Sequence, residues 1–176
     1  MRRVLVIGSG GSGKTTLARR LGKSSGLPVV HLDARYWRPG WIPPPPADWE
    51  ATVRQLLAAE SWIMDGNYGG TLDLRLSACD TVVFLDLPRT VCLRRVLTRQ
   101  VRWWGRSRPE LPVGCPERFS WKFLRWIWTY PSRRRAGILE RLARLQPAKT
   151  VIHLRSDIEV ERFVAAVALQ AQATPG

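Results

Sequence analysis

Two periodicities alternate along the chain. Short apolar runs of strand length are followed by stretches in which apolar residues recur every three or four positions, as on one face of a helix. Val4 to Ile7 is a β-branched run ending in glycines, and Lys14 to Ser24 carries Leu17, Ala18 and Leu21 at helical spacing. Gly26 stops that helix, and Pro28 to Leu32 reads as a second strand leading to Asp33. Arg35 to Pro46 is rich in Trp and Pro, and its four consecutive prolines at 43–46 exclude both a helix interior and a central strand, so a surface loop is expected. A helix from about Asp48 to Ala59 and a third strand, Trp62 to Met64, lead to Asp65. Thr81 to Leu87 is the fourth strand and the most apolar. Pro88 suits the first turn of the next helix, which has Val91, Val96 and Leu97 on one side and Arg95, Arg99 and Arg102 on another.

Residues 103–135 break the alternation. Gly105, Pro109, Pro112, Gly114 and Pro116 interrupt the first half, and an aromatic, helix-like stretch runs from Trp121 to Trp128. We read this segment as a lid inserted over one end of the sheet. Regular structure resumes with a helix at Ala136 to Leu145, a fifth strand at Thr150 to Leu154 and a last helix from about Ile158 to Leu169, with Ala171 to Gly176 as a frayed tail. Strand and helix in alternation over 176 residues predict one α/β domain, 1–176, with a mostly parallel sheet.

No run reaches the roughly 18 apolar residues of a membrane helix, and the first apolar run is too short for a signal peptide, so a cytoplasmic protein with no membrane partner is expected. Cys79, Cys92 and Cys115 lie far apart with no CxxC pair, which favours reduced thiols over a zinc site or a disulfide framework. The net charge of +14 is nearly all arginine, the lysines being Lys14, Lys23, Lys122 and Lys149. Such a surface attracts phosphate, whether on nucleotides, nucleic acid or lipid, and is equally compatible with a solvated basic face.

Gly8-Ser9-Gly10-Gly11-Ser12-Gly13-Lys14-Thr15 matches GxxxxGK[ST] and sits between a buried strand and an amphipathic helix, with Thr16 beside it in the helix's first turn. Glycines let backbone N–H groups turn toward phosphate oxygens, and the helix N-terminus adds partial positive charge. Lys14 supplies a cation to the β- and γ-phosphates, and the Thr15 hydroxyl is placed to ligate Mg²⁺. ATP or a similar nucleoside triphosphate is the expected ligand, and the lack of a GTP-specific base-reading motif favours ATP.

Ligands of parallel α/β sheets gather beyond the carboxyl ends of the strands, where Asp33, Asp65 and Asp86 stand. Asp65, followed by Gly66, is the candidate metal-side carboxylate. Asp33 is placed either to accept the proton of an attacking hydroxyl or to cap a turn. Asp86 divides evenly between a structural and a functional reading. His31 and His153 are read as packing residues. The row Arg95, Arg99 and Arg102 is either a solvated helix face or a set of guanidinium groups for adenine and phosphate, and the second reading is preferred for Arg95 and Arg99. Arg106, Arg108 and Arg133 to Arg135 flank the lid, where any of them could close over transferred phosphate, and the surface reading is preferred for each.

The P-loop, the run Trp62-Ile63-Met64-Asp65-Gly66-Asn67-Tyr68, and Arg95 four residues before Arg99 resemble the adenylate kinase and shikimate kinase-like branch of P-loop kinases. His31-Leu32-Asp33, Asp65 to Thr71, Phe84 to Pro88, Gly114-Cys115-Pro116-Glu117 and Trp126-Ile127-Trp128 are similar to bacterial DNA topology modulation, or FlaR-like, proteins over nearly the whole chain. The resemblance implies a P-loop NTPase three-layer αβα sandwich with a five-stranded parallel sheet and a helical lid, binding ATP with Mg²⁺. Arg95 would then stack on adenine and Arg99 would touch phosphate. Where an adenylate kinase continues from Asp-Gly with Phe-Pro-Arg, this chain reads Asn67-Tyr68-Gly69, and its next arginine is Arg75. The expected activity is Mg-dependent phosphoryl transfer from ATP to an unidentified acceptor, with Lys14, Asp33 and Arg99 as catalytic residues. Two alternatives stand beside it: an ATP-binding regulator or DNA-associated protein that affects DNA topology, and a nucleic-acid kinase whose Trp-rich loop and lid stack bases.

Overall fold

A computed structural model describes residues 1–173, so 174–176 of the expected frayed tail lie outside the described residues. Five strands, β1 (Arg3–Gly8), β2 (Val29–His31), β3 (Trp62–Asp65), β4 (Thr81–Leu85) and β5 (Thr150–Leu154), pair in parallel in the order β2-β3-β1-β4-β5. All five lie where the apolar runs predict them. The three central strands are buried on both faces, which is why they read as nearly continuous apolar runs rather than as alternating ones.

The helices are α1 (Lys14–Ser25), α2 (Leu32–Tyr36), α3 (Pro46–Leu57), α4 (Leu72–Ala78), α5 (Arg89–Arg102), α6 (Trp121–Tyr130), α7 (Ala136–Leu145) and α8 (Asp157–Ala173). Val4, Val6, Val83 and Leu85 point to one face of the sheet, where they meet Leu17 and Leu21 of α1, Val96 of α5, Ile127 of α6 and Val164 of α8. Leu5, Ile7, Val82 and Phe84 point to the other, against Val53 of α3, Leu76 of α4 and Leu142 of α7. The period of two along each strand thus fills two cores, and three αβα layers result.

Two helices are missing from the sequence reading. The five residues of α2 are too few to show a helical period. In α4, Leu72 and Leu76 make an apolar i, i+4 pair, but Asp73, Arg75 and Ser77 between them read as loop. The strand β4 also ends two residues early: Asp86 N–H donates to Leu154 O at 2.8 Å, and the chain then turns toward Pro88. Residues 121–145 form a continuous helical run, since a π-helical turn at Pro131–Arg135 joins α6 to α7. Its first half packs Leu124 and Ile127 into one core, and its second packs Ile138 and Leu142 into the other.

Arg75 explains why α4 is fixed where it is. Fully buried, its guanidinium donates to Gly66 O at 2.8 Å, Tyr68 O at 2.9 Å, Thr71 O at 3.2 Å and also to Asn67 O. The fork geometry of arginine lets one side chain satisfy the carbonyls of the whole turn after β3. Burial lowers its pKa to about 10, still far above neutrality, so it stays charged. Arg75→Leu is expected to destabilise the protein by about 3 kcal/mol, because a charged donor is lost and buried carbonyls are left unpaired. Urea unfolding checks this. A loss below about 0.5 kcal/mol, the range of ordinary surface substitutions, would mean that the turn does not depend on Arg75.

Candidate active site

The loop from Gly8 to Thr15 leaves β1 at the centre of the sheet and turns directly into α1. Gly11 has a positive φ of 78°, and a Cβ there would lie 2.3 Å from Cys92 O of α5, so neither conformation nor space admits a side chain. From below, Asn67 clamps the loop: Gly8 N–H donates to its Oδ1 at 3.0 Å while its Nδ2 donates to Gly8 O at 2.5 Å. Lys14 Nζ donates to Ser9 O at 2.8 Å, folding the cation across its own loop. Desolvation lowers the Lys14 pKa, and the nearby Asp33 and Asp65 oppose that shift. The hydroxyls of Ser9 and Ser12 are buried without a hydrogen-bond partner among the described residues.

Asp65 joins three elements. The register of β2 on β3 sets His31 opposite Asp65. Its Oδ1 lies 2.7 Å from His31 Nδ1, and its Oδ2 accepts from Thr15 Oγ1 at 2.7 Å. A carboxylate and a hydroxyl on adjoining elements beside a glycine loop form a hard, all-oxygen donor set of the kind Mg²⁺ takes when phosphates complete its shell. The residues fit the ion.

Asp33 stands in the first turn of α2, where the sequence reading expects a strand end. Tyr68 O–H donates to its Oδ1 at 2.5 Å. Burial, followed by Asp33 itself, pushes the Tyr68 pKa far up, so the phenol remains a donor. Tyr68 has a φ of 30°, a left-handed conformation disfavoured for a bulky side chain and held here by Arg75 on its carbonyl.

The arginines of α5 are engaged. Arg95 donates to Asp157 Oδ1 at 2.7 Å and to Ser12 O at 3.4 Å. Arg99 Nε lies 3.0 Å from Glu117 Oε1, and Arg108 Nε lies 2.6 Å from the same oxygen. Burial, then the neighbouring Arg108, lowers the Arg99 pKa. Glu110 pairs with Arg19 of α1 at 2.6 Å. The segment 103–120 is docked on the loop after α2, where Gly40 N–H donates to Gly114 O at 2.8 Å and Trp41 Nε1 to Pro116 O at 2.9 Å.

Between these elements opens a cleft of about 1120 Å³ lined by residues 10–16 together with Asp33, Asp65, Arg95 and Arg99. Gly8 and Ser9 lie behind that lining. Asp86 is apart from it, held by Arg135 Nε at 2.8 Å and His153 Nε2 at 2.8 Å. Sequence reasoning assigned no chemistry to His31, which it read as a packing residue, nor to Asn67, Tyr68 or Glu117. For His31 a signal existed, because parallel pairing of the second strand on the third sets it level with Asp65. The cysteines are free and buried, and no described helix is long and apolar enough to cross a membrane.

No family model matches the chain. It is 30% identical over 133 residues, 73% of this chain and 72% of its relative, to the uncharacterized protein YqaC of Bacillus subtilis (strain 168). Solved structures share the fold. Shikimate kinase from Acinetobacter baumannii, in complex with shikimate, aligns over 100% of this chain and 96% of its own with a TM-score of 0.58 at 16% identity. Shikimate kinase from Bacteroides thetaiotaomicron aligns over 97% and 98%, with a TM-score of 0.56 at 15% identity. A gluconokinase from Sinorhizobium meliloti 1021 aligns over 98% and 94%, with a TM-score of 0.53 at 17% identity. These likenesses establish a P-loop kinase fold.

The hydrogen bond to Asp65 raises the His31 pKa above its ordinary 6.5, while partial burial opposes the shift. A pKa raised on folding adds stability that is full below the unfolded value and fades as pH rises through the folded one. In the ligand-free protein, His31→Ala is therefore expected to cost more stability at pH 5.5 than at pH 9. Denaturant melts at the two pH values measure it, and an equal cost at both would show that His31 carries no charge in the pair.

Proposed function

The chain belongs to the family of the uncharacterized Bacillus subtilis protein YqaC, and from its P-loop kinase fold and its cleft we propose that it is a Mg²⁺-dependent phosphotransferase moving the γ-phosphoryl group of ATP to a small-molecule hydroxyl. One observation carries the reading. Lys14, the Thr15–Asp65 pair, Asp33 and Arg99 face a single cleft at the carboxyl end of the sheet.

The roles follow from chemistry. Backbone N–H groups of residues 10–15 and the α1 N-terminus cradle the phosphates. Lys14 exchanges its contact with Ser9 O for phosphate oxygen. Thr15 and Asp65 would hold Mg²⁺, which when bound neutralises charge on the β- and γ-phosphates. Arg95, which lines the cleft, is assigned to adenine, and Arg99 offers a cation to the transferred group. Asp33, oriented by Tyr68, takes the acceptor's proton as the acceptor oxygen bonds to phosphorus, while the bond from phosphorus to the bridging oxygen breaks and ADP leaves. The segment 103–135 acts as the lid, its first half bridging α5 and the loop after α2 and its second half running into the helical layers.

The shikimate and gluconate kinases with this fold act on small hydroxylated acids, which sets the scale of the acceptor. The resemblance to topology modulation proteins, with the charge of +14, motivates a second reading as an ATP-binding regulator of DNA.

Purified protein with Mg-ATP and a panel of hydroxyl acceptors should release ADP in an acceptor-dependent way. Lys14→Ala is expected to lose about 100-fold or more in rate, and Asp33→Asn to lose kcat while ATP affinity is retained. No acceptor-dependent release with any compound, together with salt-sensitive binding of duplex DNA, would replace the kinase reading with the regulatory one.

A further inference from the structure

The wall of the cleft beyond Asp33 is aromatic. Trp37 N–H donates to Asp33 O at 3.3 Å, which puts the indole one helical turn from that carboxylate along the same backbone. Trp37 and Trp41 meet edge to face with ring centroids 5.3 Å apart, and both line the cleft. Behind them Tyr36 packs on Trp49 at 4.9 Å and on Tyr68 at 4.4 Å, so the front pair rests on a filled aromatic layer. Trp41 has a φ of 64°, a strained conformation for a bulky residue, and its indole N–H is tied to Pro116 O of the lid. Two bulky residues of this cleft, Trp41 and Tyr68, are thus held in left-handed backbone conformations, and such strain persists where surrounding contacts over-determine it.

Several arginines on this side are already engaged by carboxylates. Arg19 is paired with Glu110, and Arg99 and Arg108 share Glu117. Arg75, the first arginine after the Asp65-Gly66 turn, lies buried with its guanidinium on backbone carbonyls. The cations that act on Asp33, Lys14 and Arg99, belong to the phosphates of ATP in the reading above, and the other side chains beside this carboxylate are a phenol and two indoles.

Resting on the phosphotransferase reading above, we propose that this wall is the acceptor subsite and takes an uncharged hydroxyl compound with a flat apolar face, laid against Trp37 and Trp41 with its hydroxyl on Asp33. Nucleosides and sugar rings share this chemistry. Aromatic side chains stack on the π-face of a base or on the C–H face of a ring, and desolvation of the apolar faces supplies the affinity. Such a wall supplies orientation without charge, which leaves the cations of the cleft to the transferred phosphoryl group.

The test pairs binding with turnover. Calorimetric titrations, in the presence of Mg²⁺ and a non-hydrolysable ATP analogue, use adenosine and cytidine, then glucose and myo-inositol, against shikimate, gluconate, a nucleoside monophosphate and short single-stranded DNA. ADP release is followed with the same compounds and ATP. At least one uncharged compound is expected to bind best. Trp37→Leu is expected to weaken it about tenfold or more, Trp37→Phe to restore most of that loss, and ATP-analogue affinity to stay unchanged in both. Nucleosides binding ahead of sugars, or the reverse, identifies the source. Preference for a carboxylate, a phosphate or DNA, or a Trp37→Leu effect under twofold in a protein that still binds the analogue, overturns the subsite. Trp37-dependent binding with no ADP release upholds the subsite and overturns the kinase reading, whereas ADP release with anionic acceptors alone does the opposite.

Discussion

A single carboxylate ties the site to the fold. Asp65 closes the strand beside β1, and its two oxygens reach in opposite directions, one to Thr15 at the head of α1 and one to His31 at the end of β2. A buried carboxylate needs such partners, because an unpaired charge in the interior is costly. The pairings fix the relative position of the glycine loop, the second strand and the turn at Gly66. Asn67 and Arg75 extend the same constraint, the first by clamping Gly8 and the second by holding the turn that carries Asn67 and Tyr68. The glycine loop, Asp65 and Asp33 therefore share one frame, of the kind that the positional chemistry proposed for this site demands.

The basic charge of the chain has a local structure that the total conceals. Around the cleft several arginines are paired: Arg19 with Glu110, Arg99 and Arg108 with the single carboxylate of Glu117, and Arg95 with Asp157. The acidic partners Glu110 and Glu117 come from the segment that crosses the cleft. In the ligand-free protein this segment is thus drawn onto the arginines by its own carboxylates.

The sheet was legible because parallel strands are buried on both faces and leave continuous apolar runs, as in Val4 to Ile7 and Thr81 to Leu85. The glycine loop was legible because its residues are contiguous. The short helix α2 was hidden by its length and α4 by the polar residues around its apolar pair, while Arg75 resembled a surface arginine until its carbonyl partners were seen. His31 was passed over because a lone histidine in a strand carries no local signal, and its meaning arises from register with a strand thirty positions away. Glu117 and Trp41 gain theirs from contacts across loops, which no periodicity records. Arg95 and Arg99 were placed by helical spacing on the correct helix, but their acidic partners are distant in sequence and could not be read from it.

The measurement closest to the central claim is a calorimetric titration of ATP into the wild-type protein and Asp65→Asn, each with Mg²⁺ and with EDTA. If Asp65 and Thr15 form the metal side of a nucleotide site, the wild type binds ATP more tightly with Mg²⁺ than without, and Asp65→Asn loses most of that increment while still binding in EDTA. Equal wild-type affinity in Mg²⁺ and EDTA, or an Asp65→Asn protein that keeps the full increment, would contradict the assignment of Asp65 and with it the frame on which the site is built.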